Sequence, residues 1–451
     1  MAPLASALSP GLRLFLVGSV LLALASPLRA QSRLSREWET ITPGGDTGCG
    51  RGAEFRFQFR PGPASGLVID FQGGGACWDA ATCAVSVLAA PLHTRTDPLG
   101  SQLPIWLPTA SGPPGASGLA STTNEANPVR DYSYLHIPYC TGDVHIGNGE
   151  LGAVRFNGMN NTLAALEWVY SRVPEPESVL TVGCSAGSLG ATVWSRWVSD
   201  HYRSSRCVSL GDSYVGVMTE NWWSTLDENW RLFDSFYPAP GLELERLRDF
   251  RPDIVGYIGR QCKCTHTLSW RQCARLFSKE APADALSDDT PGNYYGQFTY
   301  NADVVQTAFT ALAGGNPLTW TEQMRAIIPT FLDAPNAAGA IASGVMHCTT
   351  ILNGFFTQEV AGVPLVDWLR AMLGGALPQE WRLLDDLAGP AGNASALPVD
   401  EDEWGEEAQR MLCAARFIAT VGEAWKGNLT DSNAHLYVRQ FHSACPGFPE
   451  H

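Results

Sequence analysis

Between Ser178 and Asp212 the chain alternates four kinds of segment: the apolar run SVLTVG, the small-residue turn Cys184-Ser185-Ala186-Gly187, the amphipathic stretch SLGATVWSRWVSDHY and a second apolar run, CVSLGD. Ser185 stands between Gly183 and Gly187, in the spacing G-x-S-x-G. That spacing lets a strand turn sharply into a helix while a serine hydroxyl stays exposed at the top of a sheet. Two strands joined through a helix run parallel, because a crossover of this length returns the chain in the same direction. Upstream, MNNTLAALEWVYSRV (Met159 to Val173) carries apolar residues at helical spacing and stops before Pro174. Strand, helix, strand, helix, strand predicts an α/β fold of the α/β-hydrolase kind, with a mostly parallel central sheet flanked by helices.

The N-terminal half supplies further strands. EFRFQFR (Glu54 to Arg60) alternates at period two, Pro61-Gly62-Pro63 turns, and GLVIDFQ (Gly66 to Gln72) follows, which predicts a hairpin with a buried second strand. That second strand ends in Gly73-Gly74-Gly75, and YSYLHIPYC (Tyr132 to Cys140) gives another strand. From Pro91 to Pro128 the composition turns to Pro, Ser, Gly and Thr, predicting a long irregular surface loop. Pro282 to Asn293 and Ala388 to Glu407 read as exposed loops rather than linkers, and no internal repeat is present.

Residues 1–30 have the form of a secretory signal peptide: Arg13, an apolar stretch from Leu14 to Ala25 too short to span a bilayer, and small residues at Ala25 and Ala30. The remaining residues, 31–451, are expected to form a single domain with large loops and no membrane span. The net charge is −15, and loss of Arg13 and Arg29 with the leader takes it to −17. Such an acidic chain is unsuited to nucleic acid, whose phosphates are bound by lysine and arginine. All twelve cysteines follow the leader and fit an oxidising compartment, hence long loops stapled by disulfides. Cys262, Cys264, His266 and Cys273 lack the paired spacings of a zinc module and read as part of a disulfide cluster. Asn160, Asn393 and Asn428 head glycosylation triplets.

A serine hydroxyl is a weak nucleophile at neutral pH, so Ser185 needs a base and an acid to orient that base. In the hydrolase order the acid and then the histidine follow the serine. His347, in SGVMHCTTILNGFF, lies in a small-residue loop where a side chain can reach a cleft; His435, His442 and His451 crowd the C-terminus. Asp212, Asp303 and Asp333 compete on equal terms as the acid, and an ordinary cap or turn role is open to each. The triglycine, whose backbone carries no Cβ, suits an oxyanion hole completed by the N–H of Ala186.

Four segments resemble the pectin acetylesterase and Notum family of secreted serine esterases: FQGGGACWD (Phe71 to Asp79), HIPYCTGDVHIGN (His136 to Asn148), TVGCSAGSLGA (Thr181 to Ala191) and SLGDSYVG (Ser209 to Gly216). The resemblance implies Ser185 as nucleophile, His347 as base and Asp303 as acid, with Gly73, Gly74 and Ala186 as the oxyanion hole. It implies no cofactor and no metal. Asp212 matches a second aspartate that the family also carries, Gln72 replaces an acidic or similar residue, and the segment from Val217 onward departs from the pattern.

The implied activity is removal of O-acetyl groups from an extracellular polysaccharide such as pectin, by a protein secreted to the cell exterior or wall, or to the periplasm of a bacterium. The charge of the chain opposes attraction to a polyanion. Two rivals stand beside it: deacylation of a lipid-modified protein, as in the Notum branch, which needs a deep apolar pocket at Ser185, and a catalytically inactive carbohydrate-binding member of the fold. Trp222, Trp223 and Trp230 offer either an aromatic shelf for sugar rings or an amphipathic helix packed on the core.

Overall fold

A computed structural model of the protein describes residues 36–80, 82–83, 110–217, 228–231, 293–332 and 335–386. In chain order its main elements are β1 (Glu39–Ile41), β2 (Phe57–Arg60), β3 (Gly66–Phe71), β4 (Ser133–Ile137), the small pair β5 (Gly149–Leu151) and β6 (Val154–Phe156), and α1 (Gly158–Arg172). Then come β7 (Ser178–Cys184), α2 (Ala186–His201), β8 (Arg206–Asp212), β9 (Tyr294–Tyr300), α3 (Val304–Leu312), α4 (Trp320–Phe331) and β10 (Ala337–Ala342). The two-residue strands β11 (Glu359–Val360) and β12 (Val363–Pro364), α5 (Leu365–Leu373) and β13 (Leu383–Asp385) complete the described chain.

Among the described residues nine strands form one sheet, in the order β1-β2-β4-β3-β7-β8-β9-β10-β13. β1 and β4 flank β2 in antiparallel fashion, and every pairing from β4 to β13 is parallel. The central strand β7 is buried at all seven positions, which is why its sequence is a continuous apolar run without alternation. One face packs Leu67, Ile69 and Val179 against Leu166 and Val169 of α1 and Leu189, Trp194 and Val198 of α2. The other packs Leu180, Val182, Leu210 and Phe298 against Trp368, Leu369 and Met372 of α5. Helices on both faces of a mainly parallel sheet make this an α/β fold.

The strands and helices expected around Ser185 are present, and two expectations in the N-terminal half are corrected. β2 and β3 do not pair as a hairpin, because β4 lies between them. Gly62 and Gly66 let this happen: a Cβ on either would run into Tyr132, where the chain enters β4. Gln58 and Arg60, the polar residues of β2, are buried. The Gln58 amide donates to the Ser111 carbonyl (3.0 Å) and the Arg60 guanidinium to that of Ala120 (2.8 Å). Those acceptors belong to the Pro/Ser/Gly-rich segment, whose described part, from 110 onward, is irregular but not superficial. Leu119, Ala120 and Asn127 are buried, and the Leu119 N–H donates to the Thr350 carbonyl (2.9 Å).

Residues 1–35, Asp333, Trp222, Trp223, the cluster from Cys262 to Cys273, the loops 282–292 and 388–407, and the triplets at Asn393 and Asn428 lie outside the described residues. Asn160 falls in the first turn of α1, its amide donating to Asn157 Oδ1 (2.9 Å), with Thr162 buried behind it. Among the described residues no helix is long and apolar enough to cross a membrane.

The turn after β7 leaves no room for side chains at its glycines: a Cβ on Gly183 would strike the Gly187 carbonyl, and one on Gly187 the Phe71 carbonyl of β3. Gly187→Ala is therefore expected to cost about 1–3 kcal/mol through overpacking. Gly152→Ala meets no atom within 4 Å but has φ +58°, and its cost of about 1 kcal/mol is purely conformational. Urea unfolding of the two variants checks this ranking; equal midpoints would contradict it.

Candidate active site

Ser185 is the N-cap of α2 and holds φ +57°, ψ −122°, a conformation that an L-residue adopts only when its surroundings enforce it. The enforcement is visible in its neighbours. The Ser185 N–H donates to the Asp212 carbonyl at the end of β8 (2.8 Å), and its carbonyl accepts from the Ser188 N–H (2.9 Å). The next N–H, that of Ala186, sits at the first position of α2, where no earlier turn of helix offers it a carbonyl.

Asp303 caps α3. Its Oδ1 accepts from the N–H groups of Val305 (3.0 Å) and Gln306 (2.9 Å), and its Oδ2 from the Gln306 side-chain amide (2.9 Å). A fully buried carboxylate is thus held by the positive end of a helix. Against it lies His347, whose Nδ1 is 2.8 Å from Oδ2 and 3.0 Å from Oδ1. Donation from Nδ1 leaves the lone pair on Nε2, and Nε2 is buried with no hydrogen-bond partner. Backbone bonds hold the two segments together: Ala302 N–H to Gly344 (3.0 Å) and Val304 N–H to Val345 (3.2 Å).

Two connections tie the histidine loop to the serine turn. Cys184, the residue before Ser185, is disulfide-bonded to Cys348, the residue after His347, across 164 positions of sequence. Asp212, fully buried, accepts at Oδ2 from the N–H groups of Thr349 and Thr350 and the Thr350 hydroxyl, all at 2.7 Å, and at Oδ1 from the Ser213 hydroxyl (2.9 Å). The Ser213 Oγ in turn accepts from the Cys348 N–H (2.8 Å). Burial raises the Asp212 carboxyl above the usual range, opposed by those donors. Asp212 therefore grips the loop that carries His347, while the aspartate against the imidazole is Asp303. The sulfurs beside His347 are bonded to each other and so are spent as metal ligands.

Ser185, Ala186 and His347 line one cavity of about 730 Å³, counting its open mouth. Its other walls are mostly apolar: Ile146, Leu189, Trp230, Phe309 and Trp320 among them. Gly75 and Ala76 line it beside Ser185. Gly73 instead backs onto Cys184 and Ser185, where a Cβ would strike the Cys184 carbonyl, and Gly74 has φ +148°. The triglycine thus passes the serine turn at backbone distance, and its third member faces the cavity. Trp230 is buried, with its indole N–H on the Cys77 carbonyl (2.8 Å), so it is a wall and not an exposed shelf. Cys77–Cys83 and Cys49–Cys140 staple the surrounding loops. His201 stacks on Tyr170, away from the cavity.

Several participants went unseen in the sequence. Gln306, three residues after Asp303, had an available signal, the D-x-x-Q form of a capping box. His145 had none. Its Nε2 donates to the Gln72 carbonyl (2.8 Å), just before the triglycine, and its ring lies against Phe71 and Tyr139.

The largely parallel α/β sheet thus brings a strained serine turn and an Asp303-bound histidine to one cavity. Residues 45–232 match the family model described as Pectinacetylesterase, so this stretch of the chain is similar to that family. The match includes the triglycine, Ser185 and Asp212 but ends before Asp303 and His347. No curated protein matches the chain.

Burial lowers His145 to about 4, and burial raises Asp143 to about 6 against the pull of donors from Thr141 and Gly158. Between pH 4 and 6 the folded chain keeps a proton on Asp143 that the unfolded chain releases, so this group favours folding at the acid end. His145 stays neutral where an unfolded imidazole binds a proton, so it favours folding at the alkaline end. Each slope is about 1.4 kcal/mol per pH unit, of opposite sign. Asp143→Asn removes the first slope, and the variant should lose stability relative to the parent progressively as pH falls from 6 to 4. Denaturation at several pH values checks it; a pH-independent difference would contradict it.

Proposed function

We propose that the protein is a secreted serine carboxylic-ester hydrolase that removes O-acetyl groups from an extracellular polysaccharide such as pectin. One observation carries the reading: the strained Ser185 and the unpartnered Nε2 of an Asp303-bound His347 meet at one cavity, in a chain whose residues 45–232 match the pectinacetylesterase family model. In this mechanism Nε2 takes the Ser185 proton as Oγ attacks the ester carbonyl, and Asp303 holds the imidazole in the tautomer that leaves Nε2 basic. No hydrogen bond joins Oγ to Nε2 in the resting site, and such bonds commonly tighten only when substrate arrives. The N–H groups of Ala186 and of the triglycine, with Gly75 nearest the cavity and Gly73 and Gly74 shaping its approach, receive the oxyanion. His347 then protonates the leaving alcohol, and water hydrolyses the acyl-serine.

The apolar walls of the cavity favour a second reading, in which the acyl group is longer than acetyl and the substrate is a lipid-modified protein. Hydrolysis of p-nitrophenyl acetate, butyrate and octanoate separates the two. Acetate preference that disappears in Ser185→Ala supports the first reading, and octanoate preference the second. Asp303→Asn is expected to lower kcat by about 10⁴ through the wrong histidine tautomer, while Asp212→Asn acts chiefly on stability. Folded protein with no activity on any of the three esters would overturn both readings and leave the inactive carbohydrate-binding alternative.

A further inference from the structure

The polar side chains on the cavity wall are nearly all committed to the protein. Ser213 Oγ lies between the Cys348 N–H and Asp212. The Gln306 amide donates to Thr299 Oγ1 and Asp303 and accepts from the Val215 N–H (3.0 Å). Thr310 Oγ1 donates to the Gln306 carbonyl (3.0 Å). Beyond Ser185 and His347, this leaves one phenol on the wall, that of Tyr214, whose Oη is buried with no hydrogen-bond partner.

An unpaired hydroxyl in an apolar wall costs stability unless something bonds to it, and in a substrate cavity the substrate can do so. The residue is held in place from both sides. Ser213, at φ +61°, donates its N–H to the Phe298 carbonyl (2.9 Å), and Val215 is fixed by Gln306. The Tyr214 ring packs on the hydrophobic core. Burial also raises its pKa, so the phenol stays protonated and able to donate.

We infer that Tyr214 is a specificity-determining residue that hydrogen-bonds an oxygen on the alcohol part of the ester, next to the scissile bond, and so selects esters of polyhydroxy alcohols, O-acetylated sugars above all. This rests on the esterase reading. An acetyl group has no polar atom besides those of the ester, which the reaction itself engages, and a plain alkanoyl chain has none either. Only a neighbouring hydroxyl, ring oxygen or carboxylate on the alcohol side can satisfy the phenol. A simple aryl ester leaves it unpaired.

The test compares kcat/KM for a mono-O-acetylated methyl hexoside with that for p-nitrophenyl acetate, in the parent and in Tyr214→Phe. The ratio of the sugar ester to the aryl ester is expected to fall about tenfold in the variant, mostly through KM on the sugar ester. The thermal midpoint of the variant should equal or exceed the parent's, because the deleted hydroxyl has no internal partner. A ratio within about twofold of the parent's, a lowered midpoint, or a parent that cleaves the aryl ester but not the sugar ester would overturn the inference and leave the esterase reading standing. A parent inactive on p-nitrophenyl acetate would instead overturn the esterase reading, and this inference with it.

Discussion

The coupling of the serine turn to the histidine loop is the constraint on which the site depends. Ser185 and His347 are 162 residues apart and sit on different turns at the sheet's C-terminal edge, so nothing local fixes their separation. Cys184–Cys348 does so covalently, and Asp212 does so twice: its carbonyl receives the Ser185 N–H, and its carboxylate gathers the loop from Ser213 to Thr350. Positive φ at Ser185, Ser213 and Cys348 is local strain, and it collects where these bonds are densest. The parallel sheet makes the arrangement possible by ending β7 and β8 side by side, with Cys184 and Asp212 in register.

That edge was legible in the sequence where chemistry is local. G-x-S-x-G forces a tight strand-to-helix turn, and the steric fit of Gly183 and Gly187 shows why no other residue serves. The flanking apolar runs and helical periods gave the α/β arrangement for the same reason: burial on two faces erases alternation, and burial on one face of a helix writes a 3.6-residue period. Long-range choices were not legible. Asp212, Asp303 and Asp333 look alike as a string, and only the fold decides that Asp303 meets the imidazole while Asp212 meets backbone N–H groups. The supposed hairpin failed similarly, because β4 enters from 62 residues beyond β3 to pair between β2 and β3. The Pro/Ser/Gly-rich stretch had the composition of a surface loop, although beyond residue 110 it covers the polar members of EFRFQFR.

The cavity combines two tendencies. Its walls of Trp, Phe, Leu and Ile disfavour water, which strengthens charge interactions inside the cavity and suits apolar groups or the flat faces of sugar rings. Its polar groups are few and mostly tied back into the scaffold, so they contribute rigidity rather than recognition. On the proposed reading, recognition is then concentrated on a handful of donors: the backbone N–H groups at Gly75 and Ala186, and the phenol of Tyr214.

The central claim is that Ser185 is a nucleophile activated by His347. The most direct measurement is covalent: the folded protein is treated with a fluorophosphonate, and the intact mass and peptide map are recorded for the parent and for His347→Ala. The account predicts one adduct per chain, on Ser185, formed at least about a hundredfold more slowly without the histidine. An adduct on another residue, no adduct on folded parent protein, or labelling of Ser185 at the same rate in His347→Ala would contradict it.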